Sequence, residues 1–508
     1  MIAARLKIVL GARSPTPGFA LRLTAVALLG LFLMSLFPLG YVGGGVDDGR
    51  YLEAIRCIVA EGYCIPANHW AARLPLVLPA SAAVSLLGET RATLMLVPLA
   101  YGLGSLLLFA ALARRIAGDR AALVASVALV ATPVFVSRWS RLNVDIPELF
   151  FLLAAVFLLL AAVGRDRSGL AVMAGAAIGL AVLSRTTAIA AAPIIVVGLM
   201  LFASRPARWT SLLALGGGGI LAAEAALHAV TAGRPLLSWE LAHAHTRIPT
   251  TVLPSTVDLS RSPILNPDYI ANWHRSAGIE VHWLVDGLLN LLADPMISLT
   301  LVVPLALAVA GWIERRKGST DATATPSRLH PYLAGAAAAY FSTLTFVLAV
   351  HPMARMFLPI ACIGAFAIGT WADGHRQRVD RLFIAAILAT MLASTMIGRS
   401  RTVSLSAYEK EAERWVRTSP NQLSISPTAA SAFALSKPLR QLPVGAVDGR
   451  PMIAIGPGCS DDSRVTRRFA PAGEWPTLEG IGRAIGVTGE PLALCLISPP
   501  DRAPSPRP

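Results

Sequence analysis

Two acids stand side by side at Asp47 and Asp48, behind Gly43-Gly-Gly and ahead of a stretch that begins Arg50-Tyr-Leu-Glu. A carboxylate pair at a bend beside a membrane could poise a base next to a lipid-borne substrate. It also suits the start of a helix, with Asp48 as the cap and Asp47 favouring the N-terminal dipole. Arg50 is the nearest cation to the pair in sequence and is counted with it as a headgroup-binding candidate. His69 and Arg73 are four residues apart and would share a face if their segment is helical. That face could hold a phosphate, with the guanidinium as a fixed fork and the imidazole as a second donor; a snorkelling Arg73 is the plainer account. Further along lie Arg138, Arg141 and Asp145, with Pro147 suiting the first turn of a helix. Arg185 follows Ser184, and Arg355 follows His351-Pro-Met-Ala.

What must position these residues is a membrane scaffold. The 508 residues are 55% hydrophobic and 15% charged, with a mean hydropathy of +0.60. A water-facing surface needs more charge than that, so lipid is the solvent for much of the chain. The net charge of +14 is spread in short clusters between apolar runs and not along one stripe, which argues against nucleic acid. Apolar runs of spanning character occupy residues 20–40, 92–113, 121–137, 147–163, 169–184, 187–203, 210–230, 296–313, 332–350, 354–371 and 382–397. The expected fold is therefore an all-α polytopic membrane protein of about 11 transmembrane helices, with a small α/β segment at its C-terminus. Leu74–Leu87 is short, holds Pro75 and Pro79, and fits a re-entrant or interfacial helix. Leaving it out of the span count puts Arg114, Arg115, Arg165, Arg167, Arg205, Arg208, Arg315 to Lys317, Arg376, Arg378 and Arg381 in the cytoplasm.

That topology places two long segments, 41–91 and 231–295, outside, together with the chain after Ile397. Residues 1–398 are then the transmembrane domain and 399–508 an extracytoplasmic domain with a disordered tail. Cys57 with Cys64, and Cys459 with Cys495, are two pairs that could be disulfides or free thiols; Cys362 reads as a packed thiol. His243, His245, Glu280 and His282 are weak metal candidates, because their spacing matches no zinc signature. No cofactor is required by this reading. There is no Walker lysine loop, no dinucleotide glycine motif and no Gly-x-Ser-x-Gly. A multi-pass lipid or sugar transporter is the alternative, but such proteins usually carry internal repeats and mid-membrane charge, whereas here charge gathers at one edge.

The order of these features resembles a family. An acid pair follows the first helix, an Arg-Leu-Pro segment ends in Leu87-Gly88, Arg141 and Asp145 precede the fourth span, Gly175 and Gly179 lead to Ser184-Arg185, and Arg355 leads to Pro359. Residues 20–400 resemble the polytopic, polyprenyl-phosphate-sugar-dependent glycosyltransferases of the GT-C fold, nearest the protein O-mannosyltransferases and the lipid A aminoarabinose transferase. The resemblance implies an inverting transfer on the outer face of a bacterial inner membrane. Asp47 would be the base, and Asp48 and Asp145 further acids of the site. Arg141, Arg185 and Arg355 would lie near the lipid phosphate, with His69 and Arg73 standing where relatives carry Lys-Pro-Pro. The acceptor would be an envelope glycolipid, a polysaccharide or a protein.

Overall fold

A computed structural model describes residues 18–35, 46–139, 141–245, 329–344, 354–374, 382, 384–393, 405–419 and, between 422 and 498, the elements named below. The chain opens with α1 (Phe19–Ser35), apolar throughout. The acid pair then begins α2 (Val46–Glu61). Here Tyr51, Leu52, Ala54 and Ile55 form a buried stripe while Arg50 and Glu53 face out, the helical spacing of a surface helix. Gly62, at φ +85°, turns the chain after α2, and Cys57 and Cys64 are joined across that turn by a disulfide. Cys362 is a buried free thiol, and Cys459 lies outside the described residues.

Next comes α3 (Leu74–Leu87), with Pro75 in its first turn, where a missing N–H costs nothing, and Pro79 inside. It packs on α2 through Leu76, Val77, Ala80 and Val84. Thr90 caps α4 (Arg91–Ala117), its side-chain oxygen accepting the Thr93 N–H. α5 (Asp119–Val130) and α6 (Pro133–Trp139) meet at a bend of 69°, where Pro133 removes a donor. α7 (Asp145–Arg165) and α8 (Ser168–Ser184) form a tight pair. A 3-10 turn, Thr186–Ala190, leads to α9 (Ala191–Phe202), α10 (Pro206–Ala232) and the short α11 (Leu237–His245). The remaining described helices are α12 (Leu329–Ser342), α13 (Leu358–Gly374), α14 (Ile384–Ala393) and α15 (Leu405–Thr418).

Among the described residues, four helical stretches are long and apolar enough to cross a membrane: Arg91–Ala117, Asp145–Arg165, Pro206–Ala232 and Arg355–Asp373; the bent α5–α6 pair makes a fifth if it is one span. The other apolar runs with described helices, in α1, α3, α8, α9 and α14, are shorter. The expected span at 296–313 lies outside the described residues, as does part of 332–350. The structure is thus mostly helical and membrane-capable, and the described residues do not reach the count of eleven.

The chain ends in a small mixed unit. Its sheet runs β1 (Ser424–Ile425), β2 (Met452–Gly456), β4 (Ala493–Ile497) and β3 (Val465–Phe469) in spatial order. β1 lies parallel to β2; the other neighbours are antiparallel, with Ala454 opposite Cys495. α15 covers this sheet with Tyr408, Ala412 and Trp415, which join Ile425, Phe433, Ile453 and Leu494 in a separate core.

Gly175 carries a packing role. A Cβ there would lie 2.1 Å from the Leu213 carbonyl oxygen on α10, and one on Gly216 would lie 1.9 Å from the Val172 oxygen. The two backbones touch because neither helix has a side chain at the crossing, as small residues allow between helices in lipid. Gly175→Ala or Gly216→Ala is expected to force α8 and α10 apart. The check is a thermal melt of detergent-solubilised protein, which should drop by several degrees, whereas Gly218→Ala, open to space, should melt like the parent.

Candidate active site

The site is assembled at the end of the bundle where α2 and α7 begin and α8 ends. Asp47 and Asp48 both lie in the first turn of α2, inside the helix, where they also favour its dipole. They face different surroundings. The Asp47 carboxylate is about a third exposed (34%) and has two donors: the indole N–H of Trp70 at 2.8 Å to Oδ1, and Arg355 Nη1 at 3.1 Å to Oδ2. Asp48 is sealed, and burial pushes its carboxyl up to about 7. The Arg141 charge opposes that rise, the Asp47 charge adds to it, and Arg138 and Arg355 oppose it further.

Segment 67–72 is a run of turns and bends, so His69 and Arg73 do not share a helix face as their spacing suggested. Asn68 closes the turn, its Oδ1 accepting the Ala71 N–H at 2.9 Å. The His69 ring lies against Trp70, centroids 3.7 Å apart. Arg73 immediately precedes α3, and burial lowers the proton affinity of its guanidinium. Its nearest charged and ionisable neighbours are Tyr51, Arg185, Glu148 and Glu224. Arg50 pairs with Glu53 on the exposed side of α2 at 2.9 Å, and the structure does not bring it to the acids.

Arg138 lies in the last turn of α6 and Arg141 in the turn between α6 and α7, which Asn143 shapes. Its Nδ2 donates to the carbonyls of Arg138 and Arg141 at 2.7 and 2.9 Å, and its Oδ1 accepts the Asp145 N–H at 2.9 Å. Asp145 is buried and bound by Arg185, whose Nη1 donates to Oδ1 at 2.5 Å. The same nitrogen stands 3.9 Å from Glu148, which also accepts a hydrogen bond from Thr187 at 3.3 Å. Asp145 therefore fixes Arg185 and is not open to a reacting group.

Five guanidiniums (Arg73, Arg138, Arg141, Arg185 and Arg355) thus stand around four carboxylates (Asp47, Asp48, Asp145 and Glu148). The buried Nε atoms of Arg138 and Arg355 find no hydrogen-bond acceptor among the described residues. The surplus is cationic, and it grows when Asp48 takes up a proton. Such a cluster can receive an anion.

Trp70, Asn143 and Glu148 were missed in the sequence. Only the last had a signal, its i+3 spacing from Asp145, which puts both on one face of α7. Of the weak metal candidates, Glu280 and His282 lie outside the described residues, as do the side chains of His243 and His245. Among the described residues, the one His, Cys, Asp and Glu grouping tight enough for a metal is Cys57, Glu61 and Cys64, and its two sulfurs are bonded to each other.

Asp48 has a thermodynamic consequence. Its folded-state proton affinity exceeds the unfolded value of 3.8, so folding favours the protonated form. The stabilisation is complete below pH 3.8 and is lost as pH rises through about 7. Asp48→Asn, which stays neutral, is therefore expected to gain melting temperature over the parent as pH rises from 4 to about 7, and no more above that. Paired melts across pH 4–9 check it; a constant offset would contradict it.

Residues 75–228 match the family described as dolichyl-phosphate-mannose-protein mannosyltransferase. The oligosaccharyltransferase of Archaeoglobus fulgidus, solved with Zn and sulfate, is 17% identical, with a TM-score of 0.55 over 84% of this chain and 62% of its own. Its apo form gives 16% identity and a TM-score of 0.50, over 75% and 55%. This chain thus spans about three-fifths of the length of that enzyme. ArnT from Cupriavidus metallidurans, solved bound to undecaprenyl phosphate, is 16% identical and covers 94% of this chain and 98% of its own, with a TM-score of 0.40. No curated protein matches the sequence. In fold, and in sequence over residues 75–228, the chain resembles the GT-C-type glycosyltransferases that use polyprenyl-phosphate-linked donors.

Proposed function

We propose that this chain is an integral-membrane inverting glycosyltransferase. It moves a sugar from a polyprenyl-phosphate donor to an envelope glycolipid, a polysaccharide or a protein. The observation that carries this reading is the surplus of guanidiniums around an exposed carboxylate at one end of an apolar bundle. The matched family's description names a lipid-phosphate sugar, which supports the donor class. In this reading the site opens on the outer face of a bacterial inner membrane, residues 1–398 form the catalytic domain and residues 399–508 an outer one.

The reaction follows from the charges. The donor's anomeric carbon is bonded to a phosphate oxygen. An acceptor hydroxyl or amine attacks that carbon from the opposite face while the carbon–oxygen bond breaks, and its electron pair passes to the phosphate. The growing negative charge needs fixed cations in a partly dry place, and Arg138, Arg141, Arg355 and Arg73 are placed for it. Arg185 is committed to Asp145 and Glu148, and adds its field from one step away.

The acceptor's proton goes to a carboxylate. Asp47 is the one with an open side, and Trp70 and Arg355 hold it in a single orientation. Asp48 sits behind it, able to hold a proton near neutrality and so to lessen repulsion between the two acids. One displacement inverts the anomeric centre. Because the donor is a monophosphate, the arginines suffice to neutralise it and no metal is required.

The test is mass spectrometry of envelope glycolipids and glycoproteins from cells with and without the protein. A sugar-bearing species that depends on the chain is expected, and Asp47→Asn should reduce it by about 100-fold or more at equal protein level. Undiminished product from that variant would remove Asp47 as the base. Trp70→Phe, which deletes one donor to the carboxylate, should lower the product by about tenfold, the scale of one charge-assisted hydrogen bond.

A further inference from the structure

The end of α3 and the start of α4 meet the C-terminal unit through charge. Glu89, in the turn between them, accepts both Arg56 Nε at 3.0 Å and Arg56 Nη2 at 2.5 Å, a bidentate pair across 33 residues of sequence. Arg440 of the C-terminal unit, in the short helix Lys437–Arg440, approaches the same carboxylate at 3.6 Å. Two residues further along, Arg91 at the head of α4 is ion-paired with Glu409 of α15. None of these side chains is fully exposed; Glu409 is the most covered, at 13%. The two Arg56 bonds hold Glu89 in its charged form, lowering its proton affinity more than burial raises it.

Arg56 lies on α2, the helix that begins with Asp47 and Asp48. The chain of contacts therefore runs from the C-terminal unit through Glu89 to the helix that presents the acids. The buried stripe of α2 rests on α3, α4 and the segment before α7, and its far end carries the Cys57–Cys64 bridge. A bidentate guanidinium–carboxylate pair fixes angle as well as distance, so it can set the rotation of α2 in a way that apolar packing alone cannot.

We propose that the C-terminal unit is a positioning clamp for the acid-bearing helix, with Glu89 as its hub and Arg56, Arg91, Glu409 and Arg440 as its arms. None of these residues touches the reacting atoms. The functional half of this inference rests on the transferase reading above; the geometric half does not.

The test uses full-length protein in lipid nanodiscs, with spin labels on non-canonical residues at Val59 of α2 and Arg417 of α15, both exposed. The parent should give one narrow distance distribution. Arg91→Glu and Glu409→Arg should each broaden it, and the two together, which restore the ion pair with its signs exchanged, should narrow it again. Glu89→Gln, which introduces no charge reversal, should also broaden it. In cells, each single variant should lower the sugar-bearing product by about tenfold and the exchanged pair should restore it, as coupled residues do.

Distances that stay narrow in the single variants, or an exchanged pair that fails to recover them, would overturn the clamp. Recovery of the distances but not of the product would overturn its link to catalysis. If the parent itself makes no such product while the distances follow the charges, the clamp stands and the transferase reading falls.

Discussion

A guanidinium beside a membrane is tolerable only where something compensates it, and the same holds for a carboxylate. The architecture at one end of this bundle answers that constraint. Arg185 is sealed between Asp145 and Glu148, and those acids are in turn acceptable in the interior because Arg185 and Thr187 satisfy them. Removing either side would leave an unpaired buried charge, at a cost of about 3–5 kcal/mol. The rigid inner pair fixes the start of α7 to the end of α8. The other cations, Arg138, Arg141 and Arg355, stand around Asp47 and Asp48.

The separation of inner from outer charge is also what divides the two adjacent aspartates. They differ by one position in sequence and so by about 100° around α2. That rotation sends Asp48 into the packed interior and Asp47 to the edge beside Trp70 and Arg355. A single helix start thereby supplies two carboxyl groups of different access, without any change of residue type.

Much of this was legible beforehand. The apolar runs outlined the helices because lipid demands long apolar stretches, and the acid pair, Asp145, Arg141, Arg185 and Arg355 stood out as charges with no reason to be at a membrane edge. What could not be read was the pairing. Arg185 looked like a phosphate ligand, yet it is engaged by Asp145, a contact across 40 residues of sequence that no local pattern encodes. His69 and Arg73 suggested a helical face, but Asn68 folds that stretch into turns through a local side-chain bond. Arg50 looked close to the acids because it is close in sequence; on a helix it points elsewhere, toward Glu53. The glycines at 175 and 179 marked the right segment for a different reason than chemistry, since their task is to let α8 touch α10.

The bridge between Cys57 and Cys64 closes a loop too short to restrict the unfolded chain greatly, so its meaning is one of timing and place. Thiols join where the surroundings are oxidising. A newly made chain carries two separate sulfhydryls here, and the far end of the acid-bearing helix stays unfastened until they join. The covalent link thus fastens the far end of the helix whose first turn presents the two acids.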